Sequence, residues 1–168
     1  TEWYKKYIEK HPNIIHAFGI DSSKMQANKS IERTIDYLSV GSFKLYKRLY
    51  LILKFKGKKL IIGEIPKKFT KKNLQDYFIY YSLKLLGIKI IDFMDYKLLS
   101  NYYNATKNVY IPAKINGGGE RAVLEARACG ANVIVEKDNP KLLSLINSPI
   151  YNHIYYAEQL EKGINSLL

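Results

Sequence analysis

The chain reads as an α/β protein built on a Rossmann-like, doubly wound parallel sheet. Three observations predict this. Short β-rich runs alternate with longer stretches of helical spacing along the chain. Glycines such as Gly87 and Gly130 stand where helices should stop, as C-terminal caps do. Strands separated by helices need right-handed crossovers, and these make a parallel sheet covered on both faces.

The elements follow in order. Thr34 to Val40 (TIDYLSV) predicts a buried first strand that ends at Gly41. Lys44 to Phe55 carries Leu45, Leu49, Ile52 and Leu53 at helical spacing. Lys59 to Ile65 predicts the second strand, and Lys72 to Leu86 an amphipathic helix with Phe78, Tyr81 and Leu85 on one side. Ile88 to Asp92 is a third strand, and Asp95 caps a helix through Asn104. Val109 to Ile111 is a short fourth strand closed by Pro112. Glu120 to Cys129 reads as a helix, Asn132 to Glu136 as the fifth strand, and Asn139 to Ile146 as another helix. The tail from Asn152 to Leu168 predicts a final helix whose Tyr155, Leu160 and Ile164 form a buried stripe. At the start, Glu2 to Lys10 suits a helix and Asn13 to Ile20 a strand or extended linker. The division expected is therefore a junction over residues 1–25 and one domain over 26–168.

Composition bounds the function. The 168 residues are enough for one core, and 47% apolar content argues against disorder. Cys129 is the single cysteine, so no internal disulfide forms. His11, His16 and His153 have no close ligand spacing, so neither a metal site nor a resident cofactor is expected. No signal-peptide pattern is seen, and no apolar run approaches the roughly 20 residues that span a bilayer. A cytoplasmic setting, with peripheral contact at a membrane, is the expectation. The net charge of +12 is uneven: Gly41 to Gln75 holds eleven Lys/Arg against one acid, Glu64. Such a face attracts phosphates, anionic lipid headgroups or nucleic acid; the plainer reading is a solvated lysine surface. No helix-turn-helix, RNA-recognition or zinc signature accompanies it, which places nucleic acid behind the other partners.

The most informative stretch is PAKINGGGERAVLEARACGANVIVE, Pro112 to Glu136. Successive glycines permit close backbone approach to a ligand. The helix that follows aims unpaired N–H groups and its positive dipole end at the same place, which suits a diphosphate or a sugar. A tight turn feeding a core helix is the competing reading. The dinucleotide fingerprint would follow the first strand and bring an acid about 20 positions later, and a Walker loop would need G-K-[ST]; neither is present.

Gly117 to Gly130 resembles the donor-site signature of the group 1 glycosyltransferases, which have the GT-B fold. Gly118, Glu125, Ala126, Ala128, Cys129 and Gly130 match it, and Val133 to Val135 continue it. Ser39 to Arg48 resembles the family's first strand and loop, with Gly41, Lys47 and Arg48 in register. Asn13 to Ser22 resembles the family's junction into this half, and Pro112-Ala113 its fourth-strand end. The resemblance implies the C-terminal half of a two-domain enzyme that transfers a sugar from a nucleoside diphosphate sugar with retention of configuration. It implies an N-terminal acceptor domain as partner. By the same resemblance, Glu125 would bind the ribose hydroxyls and Lys47 the diphosphate. Gly41, Ser42, Arg48, Phe93, Gly117, Gly118, Gly119, Glu120 and Arg121 would line the donor site. Lys47, Glu125 and Glu120 are the expected catalytic side chains. Two positions depart from the pattern. Gly117 stands where the family keeps its first acid, with Glu120 as the nearby substitute, and Ser42 stands where it keeps an arginine. These departures motivate a second reading, an inactive binding module of the same fold.

Overall fold

The computed structural model describes residues 19–67 and 69–166. The expected helix over Glu2 to Lys10 and most of the segment from Asn13 to Ile20 lie outside the described residues.

Five parallel strands form one sheet in the order β3-β2-β1-β4-β5. They are β1 (Ile35–Val40), β2 (Lys59–Ile62), β3 (Lys89–Ile91), β4 (Thr106–Ile111) and β5 (Asn132–Val135). Side chains alternate between the faces along each strand. Leu60 and Ile62 in β2, with Val109 and Ile111 in β4, pack on one face against Tyr103, Val123, Leu124 and Leu142. Ile61 and Tyr110 point to the other face and meet Phe43, Leu49, Ile52, Ile79 and Leu83. The helices therefore divide by face. Helix α1 (Leu74–Leu85) covers the second face, while α2 (Tyr96–Asn104), α3 (Glu120–Ala128) and α4 (Pro140–Ile146) cover the first. Helix α5 (His153–Asn165) closes the described chain.

The helix starts follow from their caps. Asp95 accepts from the Lys97 N–H at 2.8 Å, Asn139 from Leu142 at 3.2 Å, and Asn152 from Tyr155 at 2.9 Å. Each side-chain oxygen satisfies an N–H that the first turn leaves without a partner. Ile20 and Met25 are buried in the core, and the Ile20 N–H donates to the Tyr151 carbonyl at 2.9 Å.

Three expectations are corrected. Lys44 to Phe55 is not one helix. It is two short 3-10 segments, Leu45–Lys47 and Leu49–Lys54, split at Arg48, which adopts φ 52°. Leu49 and Ile52, three apart as a 3-10 turn requires, are buried, while Leu45 and Leu53 are exposed. Secondly, α1 turns its Phe78, Tyr81 and Leu85 side to solvent and buries Ile79, Tyr80 and Leu83 instead. Thirdly, α5 buries only Gly163 among its described residues; Leu160 and Ile164 are exposed and Tyr155 is half-buried, so the expected stripe does not enter the core. The fourth strand is also longer than its sequence signal, because Thr106 already pairs with Ile35 of β1.

The loops after β1 and β2 touch so closely that a side chain is barred. A Cβ on Gly63 would stand 2.0 Å from the Gly41 carbonyl oxygen. Gly63→Ala should therefore destabilise the fold by about 3 kcal/mol or more. Gly87→Ala, where no atom lies within 4 Å but φ is +78°, should cost only the left-handed backbone penalty, about 1–2 kcal/mol. Urea denaturation midpoints of the two variants against the parent measure the contrast.

Candidate donor site at the switch in strand order

Strand order reverses between β1 and β4, so the loops leaving their carboxyl ends diverge to opposite faces and open a crevice. The β1 loop runs from Gly41 to Arg48 and the β4 loop from Pro112 to Gly119. A backbone bond ties them together, the Lys114 N–H donating to the Tyr46 carbonyl at 2.8 Å, and the Gly117 N–H closes the β4 loop on itself by donating to the Lys114 carbonyl at 2.7 Å. Arg48 adds a clamp. Its Nε donates to the Pro112 carbonyl at 2.6 Å, and its two terminal nitrogens grip Asp138 at 2.7 Å each. That fork-to-fork geometry fixes both partners, so Arg48 is turned to the frame of the site.

The glycine run has a distinct reason at each position. A Cβ on Gly117 would meet the Lys114 and Tyr46 carbonyl oxygens at 2.9 Å each and Ala113 Cβ at 3.1 Å. Gly117 is thus walled in by backbone, and no acid can stand there without moving the β1 loop. Gly118 and Gly119 take φ of 67° and 112°, which turn the chain into α3. Gly119 is the N-cap and offers no side-chain cap, so the first N–H groups of α3 open on the crevice.

Lys47 enters from the β1 loop. Its stem lies along Gly41, and its Nζ sits 3.5 Å from where a Gly118 Cβ would be. Burial lowers its pKa and Lys141 lowers it further, while Glu120 pulls it up. Lys141, from α4, is 4% exposed and places its Nζ 2.7 Å from Glu120 Oε1. Burial would raise the Glu120 carboxyl, but Lys141, its own backbone N–H and Lys47 outweigh that and hold it below its ordinary value. Two lysines and one carboxylate therefore meet at the N-terminus of α3. The local charge is positive, and the Glu120 carboxylate only partly offsets the repulsion between the two ammonium groups.

Glu125 lies on the same helix, one turn beyond Arg121, facing α2. It is 3% exposed. Its Oε2 accepts from the Tyr103 hydroxyl at 3.2 Å. Oε1 is buried without a hydrogen-bond partner, and the nearest cation, Arg121 Nε, stands 3.7 Å away. Burial pushes the Glu125 carboxyl up, against the pull of Tyr96, Tyr103 and Arg121. Phe93, just past β3, exposes its ring at the same edge of the sheet. Asp92 fixes that loop by accepting from the Ile65 and Phe93 N–H groups at 3.1 and 2.9 Å. Ser42 is half-buried between Gly41 and the core residue Phe43.

Gly41, Lys47, Gly117, Gly118, Gly119 and Glu120 come together as expected. Glu125 and Arg121 sit further along α3, and Arg48 points to Asp138. Sequence reasoning missed Lys141, Tyr96 and Tyr103. Lys141 follows the helix-starting Asn139-Pro140 pair, and its only local signal is a lysine among leucines. A separate groove of about 700 Å³ lies at the other end of the sheet, lined by Thr34, Ile35, Lys59, Leu60, Ile88 and Lys89. It is at the amino ends of the strands, away from the glycine loop.

No protein-family model matches the chain, and no curated protein matches it in sequence. Solved structures do match. Sucrose-phosphate synthase from Thermosynechococcus elongatus superposes with a TM-score of 0.66 at 14% identity, over 98% of this chain and 48% of that one. The C-terminal domain of LpcC, a group 1 family glycosyl transferase from Francisella tularensis, gives 0.52 at 19% identity, over 88% of both chains. Anabaena HepE, solved with UDP and glucose, gives 0.63 at 11% identity, over 88% of this chain and 55% of that one. The fold is the Rossmann-like parallel-sheet fold found in the C-terminal domains of GT-B glycosyltransferases. The chain spans about half the length of the sucrose-phosphate synthase that it matches.

A raised Glu125 pKa ties stability to pH. The folded state holds this proton more tightly than the unfolded chain, so the associated stability is complete below the ordinary value of 4.5 and is lost as pH rises through the folded value. Glu125→Gln keeps an acceptor for Tyr103 and removes the buried charge. The variant should melt above the parent at about pH 7 and lose that advantage at about pH 4. Thermal melts followed by circular dichroism at both pH values decide it.

Proposed function

We propose that the chain is the donor-binding half of a retaining glycosyltransferase that uses a nucleoside diphosphate sugar. The observation that carries this is the Glu125 carboxylate, buried with one oxygen unpartnered on the helix that begins at the glycine loop. A buried acceptor of that kind is costly unless a ligand supplies the donor. A ribose diol offers two hydroxyls to a carboxylate. Lys47, Lys141 and the first N–H groups of α3 stand where a diphosphate can bind. There they would stabilise the charge that develops on the leaving group. Phe93 offers a ring face to the base. HepE, with UDP and glucose, has this fold, which supports the reading. The acceptor would be held by the other half of the protein, and this chain alone binds donor without transferring sugar.

A second reading rests on Gly117. Because backbone walls it in, the acid that the group 1 pattern places there has no room, and Glu120 is held by Lys141 instead. A GT-like module that binds a nucleotide sugar without transfer fits that arrangement.

A thermal-shift panel of nucleoside diphosphate sugars tests the donor. A true donor at 100 times its dissociation constant should stabilise the protein by about 2.7 kcal/mol. Glu125→Ala should weaken nucleoside diphosphates about ten-fold and leave pyrophosphate unchanged, whereas Lys47→Met should weaken both by at least about ten-fold. A flat response to every donor removes the reading. With a donor in hand, transfer by the full-length protein that disappears in Glu125→Ala supports the enzyme. Binding without transfer supports the module.

A further inference from the structure

Helix α1 is apolar on two opposite sides, and the fold covers only one. Ile79, Tyr80 and Leu83 face the sheet. Leu74, Phe78, Tyr81 and Leu85 recur at steps of four, three and four residues, which sets them on a single stripe. At about 100° per residue that stripe lies on the far side of the helix from the buried one. Its members are 53%, 73%, 50% and 86% exposed. A helix that is apolar all round is ordinarily buried all round. Aromatic rings extend the stripe: Phe69 packs edge-on against Tyr77 at 5.4 Å, and Tyr77 stacks on Tyr81 at 5.8 Å. This surface is on the second face of the sheet and shares no residue with the crevice around Lys47 and Glu125.

The charges around the stripe select what covers it. Lys67, Lys71, Lys72 and Lys84 are all exposed. The one acid between residues 67 and 89 is Asp76, and it turns away to bind Lys44 at 2.5 Å. The result is an apolar, aromatic stripe bordered by cations. A second copy would bring like charges against like. An anionic bilayer supplies both halves of the match, acyl chains for the stripe and phosphates for the lysines. Tyrosine suits the headgroup boundary, with one end apolar and the other wet. No helix among the described residues is long and apolar enough to cross a membrane, so contact of this kind lies in the interface plane.

We propose that the outer face of α1 docks the protein on an anionic lipid surface, with Leu74, Phe78, Tyr81 and Leu85 inserted and the flanking lysines on the headgroups. Flotation of the purified full-length protein tests it, with vesicles of phosphatidylcholine alone and with about one third phosphatidylglycerol. The protein should float with the anionic vesicles, at least about ten-fold more than with the neutral ones, and less as salt rises. Phe78→Ser combined with Leu85→Ser should reduce flotation at least about ten-fold, and Lys71→Ser with Lys72→Ser should reduce it and flatten its salt dependence. All four positions are exposed, so melting temperatures should match the parent and certify the fold. Failure of the parent to float, equal flotation with neutral vesicles, or parental flotation by the Phe78/Leu85 variant overturns the proposal. A parent that stays unbound but changes oligomeric state in the Phe78/Leu85 variant does so too, and identifies a second copy as the cover. Flotation is read without any nucleotide sugar, so failure of the donor reading leaves this result standing, and the reverse.

Discussion

Close approach of backbone to backbone at the carboxyl edge of the sheet governs the rest of this structure. Gly63 rests on the Gly41 carbonyl, Gly117 is enclosed by the carbonyls of Tyr46 and Lys114, and Gly119 abuts Ile111 and Leu142. Each contact excludes a side chain. Together they draw the β1 loop, the β4 loop and the start of α3 into one crevice, which the Arg48 clamp to Pro112 and Asp138 then locks. The site is therefore mostly backbone, with few side chains entering it. Helix N-termini and turns of this kind suit phosphate oxygens through their N–H groups, which is the use proposed for it.

Electrostatics divides the crevice into two parts. Around the α3 N-terminus, Lys47 and Lys141 share Glu120, and both lysines are partly or wholly removed from water. Burial of two like charges is tolerable where an opposite charge is nearby, and more so when a polyanion joins them. Further along α3, Glu125 has the opposite problem: a carboxyl withdrawn from water, which Tyr96, Tyr103 and the Arg121 guanidinium only partly offset. On the proposed reading, a ligand carrying a diphosphate at one end and a diol at the other would relieve both. The same helix thus presents a cation-rich end and, further along, a single buried carboxylate.

Helix α1 shows how a sheet protein carries a second surface. Its inward side is committed to Ile61 and Tyr110 through Ile79, Tyr80 and Leu83. Its outward side needs no role in the fold, so its residues are free to be apolar for another purpose. Exposed lysines border that side, so apolar and cationic groups share one surface.

Much of the molecule was legible in local pattern. All five strands, the cap at Asp95, the helix starts at Asn139 and Asn152, and the glycine-to-helix turn at Gly119 follow from nearest-neighbour chemistry, which acts within a few residues. The group 1 resemblance pointed to Gly117–Gly130 for the same reason: spacing along one turn and one helix is a local property. What the sequence could not settle was which of two apolar sides of α1 is buried, since both have helical spacing and only the position of the sheet distinguishes them. It could not bring Lys141 to Glu120, because α4 reaches α3 only through the order of β4 and β5. It could not break Lys44 to Phe55 at Arg48, where a distant Asp138 holds the guanidinium. Sequence alone determined the kind of fold and where its glycine loop lies. The tertiary structure decided that Gly117 is barred from carrying an acid, that Glu125 is buried with an open oxygen, and that α1 keeps a stripe uncovered, because each depends on atoms brought together from segments far apart in the chain.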